Sequence, residues 1–336
     1  MKIKTIGIAL VLIVAAILSY PVIAQNDASQ NANAQPAADP AVDQDQTANI
    51  ANGAGIVAPS AIPKGVQSIK LPTPSSALTY SNANYVTAGI GARNNDRGTV
   101  ELRVPSGTSL VDAWVYWQIL DVATPNAQDY YATINGVRVK GALIGSGPSP
   151  CWSGSGYAFR ANIKSILSAT YVSGGANGIT VGGLNGAIYT GPSPWTSFSL
   201  PAAENANVVI IYSNAGSTVS IADGYVEISG GSASFSVPAG TTLFSSLISD
   251  GQVFGVSPYP KSLSYFDGSG TTLLQQTTVF GKDASLTSKA TYQGSLSDTD
   301  TYILPSVAGS GAALTWALSS DCVVYQTLIF SNAAVP

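Results

Sequence analysis

The sequence contains no histidine and little charge. None of its 336 residues is His, and only 10% are charged, against roughly 25% in an ordinary soluble domain. The absence of imidazole excludes Ser-His-Asp and Cys-His catalysis and the commonest zinc and copper sites. The low charge predicts a neutral surface rich in hydroxyl and amide groups, which is typical of surface and extracellular proteins.

Clusters of positive charge are also missing. Lys and Arg number 14 against 18 Asp and Glu, which gives a net charge of −4. Without a basic cluster the protein cannot neutralise a run of phosphates, so nucleic acid is not expected as a partner. The sequence has no Walker loop, CxxC pair or dinucleotide-binding fingerprint either. We therefore expect no organic cofactor.

The first 24 residues have the three parts of a signal peptide. Lys2 and Lys4 are followed by an apolar stretch over 6–18, and residues 22–24 suit a cleavage site before Gln25. The alternative is an uncleaved anchor, but the 13 residues of the apolar stretch are short for a span of about 20. We predict a secreted or cell-surface protein with no membrane span after signal removal.

The chain has two cysteines, Cys151 and Cys322. In an oxidising compartment such a lone pair predicts one disulfide. The loop it closes is long, so the chain-entropy model predicts a stabilisation of about 4–5 kcal/mol. Two buried free thiols are the alternative.

Composition divides the rest of the chain into a linker and a folded region. Residues 25–75 are rich in Ala, Asn, Gln and Asp and then in Pro, which predicts a disordered and then extended tether. The folded region is expected over 76–336, as one β-sandwich or as two packed halves, 76–230 and 231–336.

Period-two alternation dominates the folded region. In residues 111–119 it places Val115 and Trp117 on an inner face and Trp114 and Tyr116 on an outer face. Further strands are expected over 99–104, 132–134, 137–140, 208–212, 220–228, 234–237, 273–280, 314–318 and 323–330.

Three local patterns refine this prediction. The dipeptide Asn135-Gly136 predicts a type I′ hairpin, and the unbroken apolar run 208–212 indicates a strand buried on both faces. Apolar spacing predicts one short helix over 161–168, and residues 93–98 suit a turn. Together these patterns predict an all-β protein, a β-sandwich of jelly-roll type.

Several strand sequences resemble an uncharacterised β-sandwich domain family of secreted and surface proteins of archaea and bacteria. D-A-W-V-Y-W at 112–117 is similar to its A-Y-L-Y-W strand, and the N-G-x-x-V hairpin, Y-x-A-D-V-T, N-G-x-Y-T-V-x-G-L, L-V-V-V-Y and D-G follow in order. Their counterparts here are 134–139, 157–163, 177–184, 208–212 and 223–224, and the likeness continues at 298–302, 314–316 and 320–322. The resemblance implies a surface-associated β-sandwich and no activity.

Aromatic residues are the candidate carbohydrate-binding groups. Trp114 and Tyr116 on the outer strand face could form a stacking platform for a sugar, and Trp152 and Trp195 lie in Pro/Ser/Gly-rich loops, where binding residues are common. The alternatives are a second layer covering the strand pair and a small apolar core around the disulfide.

Acidic residues are the candidate metal ligands. Asp298 and Asp300, with Asp267 or Asp283, could supply oxygen ligands for Ca²⁺. The alternative is a solvated turn.

Asp223 and Glu227 are the acid pair considered for catalysis. They share a strand face about 13 Å apart, too far for a general acid and base, and are expected to be solvated. Other acids could meet in space, so a carboxylate-dependent glycoside hydrolase stays open.

The preferred hypothesis is a structural or interaction protein without enzymatic activity, whose partners are other surface proteins or itself. Residues 55–63 could donate a strand to a sheet edge of a second copy. The alternatives are a carbohydrate-binding module and, third, the hydrolase.

Overall fold

The described part of the chain is almost entirely β-structure. The computed structural model describes residues 78–122, 124–149, 151–186, 199–249, 261–267, 269–276, 284–285 and 297–334. The predicted signal peptide, the linker and the proposed donor segment 55–63 lie outside these residues.

Fifteen strands and one helix follow in chain order. They are β1 (Thr79–Gly91), β2 (Gly98–Arg103), β3 (Leu110–Asp121), β4 (Tyr131–Ile134), β5 (Val137–Lys140), β6 (Ala142–Pro148), β7 (Ser155–Asn162), α1 (Lys164–Leu167), β8 (Ala176–Gly182), β9 (Ala202–Ser236), β10 (Leu243–Ser249), β11 (Lys261–Phe266), β12 (Thr271–Gln276), β13 (Ala284–Ser285), β14 (Ser297–Ile303) and β15 (Ala313–Ser331).

The strands form two sheets. The larger has 11 strands in the order β12-β11-β15-β9-β3-β7-β6, with β1 beside β9, β10 beside β15, and β13 and β14 flanking these. The smaller has four strands in the order β2-β8-β4-β5. Apart from the parallel pair β1–β13, the pairings are antiparallel. The prediction of an all-β sandwich with one short helix is confirmed.

The first apolar core lies between the small sheet and the β1-β9-β3-β7 part of the large one. Alternation sends Val115 and Trp117 of β3 into it, as predicted, beside Val208 and Ile210 of β9. The small sheet contributes Val100, Leu102, Ile134, Ile179 and Val181.

The second apolar core belongs to the C-terminal strands. Val226 and Phe235 of β9 pack there with Trp316 and Tyr325 of β15, and Phe235 meets the Trp316 ring at 5.1 Å between centroids. The 35-residue strand β9 thus contributes to both cores, and its side chains change from one core to the other between Tyr212 and Ala222.

A third apolar cluster covers the reverse face of β3 and β9. It contains Tyr116 of β3, Val209 and Ile211 of β9, and Leu247 and Ile329 from β10 and β15. The run 208–212 is therefore buried on both faces, as predicted.

Amide side chains continue this interface where the apolar cluster ends. Gln326 of β15 donates through Nε2 to Asn205 Oδ1 at 3.0 Å and accepts from Asn207 Nδ2 at 3.1 Å. Thr299 of β14 donates to Asn207 Oδ1 at 2.5 Å, and Asn205 donates to the Ile248 carbonyl at 3.0 Å. These side chains are all buried, so the hydrogen bonds replace those they would make with water.

Two local predictions have different outcomes. The Asn135-Gly136 turn joins β4 and β5 with φ of 49° and 82°, which confirms the type I′ hairpin. The helix is shorter than 161–168, because β7 continues to Asn162 and pairs there with Trp114 of β3. No helix among the described residues is long and apolar enough to cross a membrane.

The amide interface predicts the effect of a single methyl group. A Cβ added at Gly89 would lie 2.2 Å from Asn207 Oδ1 and 2.3 Å from Thr299 Oγ1. Gly89→Ala should therefore lower the free energy of unfolding by about 1–3 kcal/mol, measured by chemical denaturation. Gly178→Ala is the matched control, since a Cβ there meets nothing within 4 Å. Equal effects of the two substitutions would contradict the prediction.

Candidate functional site

The outer face of β3 carries a connected group of polar and aromatic side chains, here called the outer-face cluster: Tyr80, Asp112, Trp114, Tyr116, Arg160 and Asp223. The Trp114 indole donates to the Tyr80 hydroxyl at 2.7 Å, and that hydroxyl donates to Asp112 Oδ2 at 2.8 Å. Asn162 of β7 donates to Asp112 Oδ1 at 2.6 Å.

Arg160 joins the two halves of the cluster. Its guanidinium lies over the Trp114 ring at 4.7 Å from the centroid and pairs with the Asp223 carboxylate. Burial raises the pKa of Asp223, and the Arg160 charge opposes that rise. Burial, together with the nearby Asp223 charge, raises the pKa of Tyr116. The expectation of a solvated Asp223 is therefore wrong.

The predicted stacking pair is not formed. Tyr116 is fully buried, because β10 and β15 cover the face of β3 that alternation directs outward. Trp114 is half-buried, with Arg160 over its ring. The alternative, in which a second layer covers the pair, matches the structure.

Glu227 is partly enclosed rather than solvated. It follows Tyr225 on the same face of β9, and that tyrosine lies against the glycines of β6 and β7, with its hydroxyl donating to the Pro148 carbonyl at 3.1 Å. A Cβ at Gly147 would be 2.9 Å from the Tyr225 ring and 3.4 Å from Glu227 Oε2. Burial raises the pKa of Glu227.

The disulfide confirms the cysteine prediction. Cys151 and Cys322 are bonded, with their Cα atoms 5.6 Å apart and a sequence separation of 171. Trp152 packs beside the bond in a small apolar cluster with Leu120 and Ala202 and is only 7% exposed. Trp152 therefore belongs to a core around the disulfide and offers no free ring face to a sugar. Trp195 lies outside the described residues.

Beneath the disulfide lies an ion pair that the sequence analysis did not predict. Arg93 donates through Nε to Glu204 Oε1 at 2.7 Å, and both side chains are fully buried. The Arg93 guanidinium also lies 4.5 Å from the Trp152 ring centroid. The available signal was Glu204 itself, the one charged residue in the buried first part of β9, 202–212.

The predicted calcium ligands are not brought together among the described residues. Asp300 is buried and accepts a hydrogen bond from Tyr302 at 3.3 Å. Asp283 and the side chain of Asp298 are not among the parts of the chain that the structure describes. Asp267 instead holds a turn, accepting from Ser269, Gly270 and Ser306, and the backbone donors lower its pKa. The described chain contains no group of three metal-binding acids or cysteines. Calcium binding at Asp298 and Asp300 stays a prediction.

The buried ion pair predicts an asymmetry between single and double substitutions. Arg93→Met leaves the Glu204 charge buried and should lower the free energy of unfolding by about 3–5 kcal/mol, whereas adding Glu204→Leu should recover most of that loss. Denaturant titration of the two variants measures this.

The exposed pair Arg103–Glu101, with side chains 70% and 57% accessible, supplies the control. Arg103→Met should leave the free energy of unfolding nearly unchanged. A double variant that is no more stable than Arg93→Met would contradict the buried-pair interpretation.

The disulfide predicts a further loss of stability. Replacing both cysteines by serine should lower the free energy of unfolding by about 2–5 kcal/mol. The native protein treated with a reductant should lose a similar amount. A reductant effect of equal size on the double serine variant would show that the loss has another origin.

Comparisons with known proteins yield only distant likenesses. No protein-family model matches the chain, and no curated protein matches it. A pentameric capsid protein from metagenomic phage sequences aligns at 14% identity and TM-score 0.19, over 31% of this chain and 59% of the phage protein.

Two other solved structures align over most of the chain. Peptide-N(4)-(N-acetyl-β-D-glucosaminyl)asparagine amidase aligns at 12% identity and TM-score 0.24, over 75% of this chain and 98% of the amidase. The major capsid protein P2 of bacteriophage PM2 aligns at 9% identity and TM-score 0.21, over 74% and 97%. At these scores none of the likenesses bears on activity.

Proposed function

We propose that this chain is a structural protein of the cell surface or extracellular space, without enzymatic activity, which assembles with further copies of itself through its sheet edges. The observation that carries the proposal is the character of the strands that end each sheet. Natural sheets protect exposed edges with charged residues, because unpaired backbone groups otherwise recruit another strand.

The two sheets differ in this respect. The end strands of the small sheet each carry two charges, Glu101 and Arg103 in β2 and Arg138 and Lys140 in β5. The strands that end the main path of the large sheet, β6 (ALIGSGP) and β12 (TTLLQQ), carry none, whereas β14, which ends a side branch, carries Asp298 and Asp300. Leu143 of β6 is also 40% exposed. These uncharged ends suit main-chain pairing with a second copy.

Two further features support the proposal. A disulfide is typical of proteins that fold in an oxidising compartment, which agrees with the expected export. Two of the buried acids are also paired with arginines inside the fold, Asp223 with Arg160 and Glu204 with Arg93.

Assembly through β6 predicts a specific effect of a charge at Leu143. Leu143→Lys should lower the assembled fraction several-fold, since an edge charge opposes strand addition. Light scattering and electron microscopy over a concentration series, with the N-terminal segment retained, measure that fraction. Val172→Lys is the control, because Val172 is 48% exposed but precedes β8 outside any strand.

Two results would contradict the proposal. A wild-type chain that stays monomeric at every concentration would remove self-assembly altogether. Equal losses in the two lysine variants would indicate nonspecific apolar association rather than pairing at β6.

A further inference from the structure

Two buried carboxylates meet where β3 ends. Asp121 is the last residue of β3, and Asp129 lies in the loop that leads to β4. Asp129 is fully buried and Asp121 almost so. Neither was among the acids that the sequence analysis considered.

Asn126 connects the two carboxylates. Its side-chain amide donates to Asp121 Oδ2 at 2.9 Å, and its backbone amide donates to Asp129 Oδ2 at 2.8 Å. Asp121 Oδ1 accepts from the Val122 amide at 2.7 Å. The β3–β4 loop is thus folded around the two acids.

Asn185 fastens this loop to a different part of the chain. It follows β8 of the small sheet, and its side-chain amide donates to Asp129 Oδ1 at 2.6 Å and to Asn126 Oδ1 at 3.2 Å. Asp129 therefore joins the β3–β4 loop to the segment 184–186.

No described cation balances these acids. On β5, Arg138 donates to Gln128 and stacks on Tyr131. Asp96 lies beside the segment 184–186, because its backbone carbonyl accepts a hydrogen bond from the Leu184 amide. Its carboxylate pairs with Arg97.

Among the described residues, the titratable group that acts on Asp129 is therefore Asp121. Two close, buried carboxylates cannot both be charged without a large cost, so one of them holds a proton. Burial, with Asp121 adding to the effect, raises the pKa of Asp129 from 3.8 to about 6, and the hydrogen bonds from Asn185 and Asn126 oppose that rise.

We propose that Asp121 and Asp129 form a proton-operated clamp, which fastens the β3–β4 loop to the segment 184–186 in acid and releases it toward neutral pH. In the closed clamp the proton lies between the two carboxylates, whose oxygens also accept hydrogen bonds from Val122, Asn126 and Asn185. Loss of the proton places two buried negative charges together, which favours exposure of Asp129 to water and so opening of the loop away from Asn185.

The sign of the pH dependence follows from the raised pKa. In the closed state Asp129 keeps its proton up to about pH 6, whereas in an open, solvated loop it loses the proton near its ordinary pKa of about 3.9. The closed state is therefore most stable in acid and loses stability as pH rises from about 4 through 6. Above that window the dependence ends.

Hydrogen exchange of the clamp amides tests the proposal on the full chain, in the presence of a chelator. The protection factors of the Val122 and Asn126 amides, corrected for the intrinsic pH dependence of exchange, should fall roughly tenfold from pH 5 to pH 7.5. In Asp129→Asn, where the side-chain amide imitates the protonated acid, protection should stay at the acid value throughout.

Asp267→Asn is the matched control. It alters a carboxylate whose pKa is lowered in a separate turn, so it should retain the wild-type profile. A wild-type profile that is flat across this range, or an Asp129→Asn profile that still falls tenfold, would overturn the clamp.

A second measurement covers the case in which Asp129→Asn does not fold. Carbon NMR of the wild-type side chain should show the Asp129 carboxyl titrating with a midpoint near 6. A midpoint near 4 would overturn the proposal independently of any variant.

Discussion

Strand β9 is buried over its first 11 residues, Ala202–Tyr212, and much of the architecture depends on this burial. A strand covered on both faces needs three layers, here the small sheet, the part of the large sheet around β3 and β9, and the layer of β10 and β15. The same strand then continues into the second core. The two cores are therefore connected by one element rather than by a flexible linker.

Burial of β9 also explains where the polar groups lie. Its first residues include one acid and two amides, Glu204, Asn205 and Asn207, and unpaired polar groups are costly inside a protein. Each has its partner from another element, Arg93 for the acid and Gln326 for the amides. The ion pair and the amide network are thus consequences of polar residues on a strand that water does not reach.

The sequence predicted those features that depend on nearby residues. Alternation placed Trp117 inside, the Asn135-Gly136 dipeptide defined a hairpin, and the lone cysteine pair indicated a disulfide. It did not predict what covers an outward face, because those partners are distant in the chain. Arg160 lies 63 residues from Asp223, and Arg93 lies 111 residues from Glu204. For the same reason the sequence left open whether a second layer covers Tyr116, and in the structure that layer is present.

The proposed clamp at Asp129 also depends on residues that are distant in the chain, so the sequence did not predict it. Asp121 and Asp129 are separated by one loop, but Asn185, which donates to Asp129, comes from the segment that follows β8 of the small sheet. The clamp therefore depends on the sandwich being assembled. No local sequence pattern identifies it.

The disulfide gives the fold a mechanical property. A pulling force applied at Leu78 and at Ala333 reaches β1, which contributes Ile90 to the first core, and β15, which contributes Trp316 to the second. The covalent bond between Cys151 and Cys322 carries tension directly from one core to the other. The 171-residue separation that it spans, including all of β9, cannot be drawn out while the bond is intact. The extensible length of the folded region is confined to the segments on either side of the bridge.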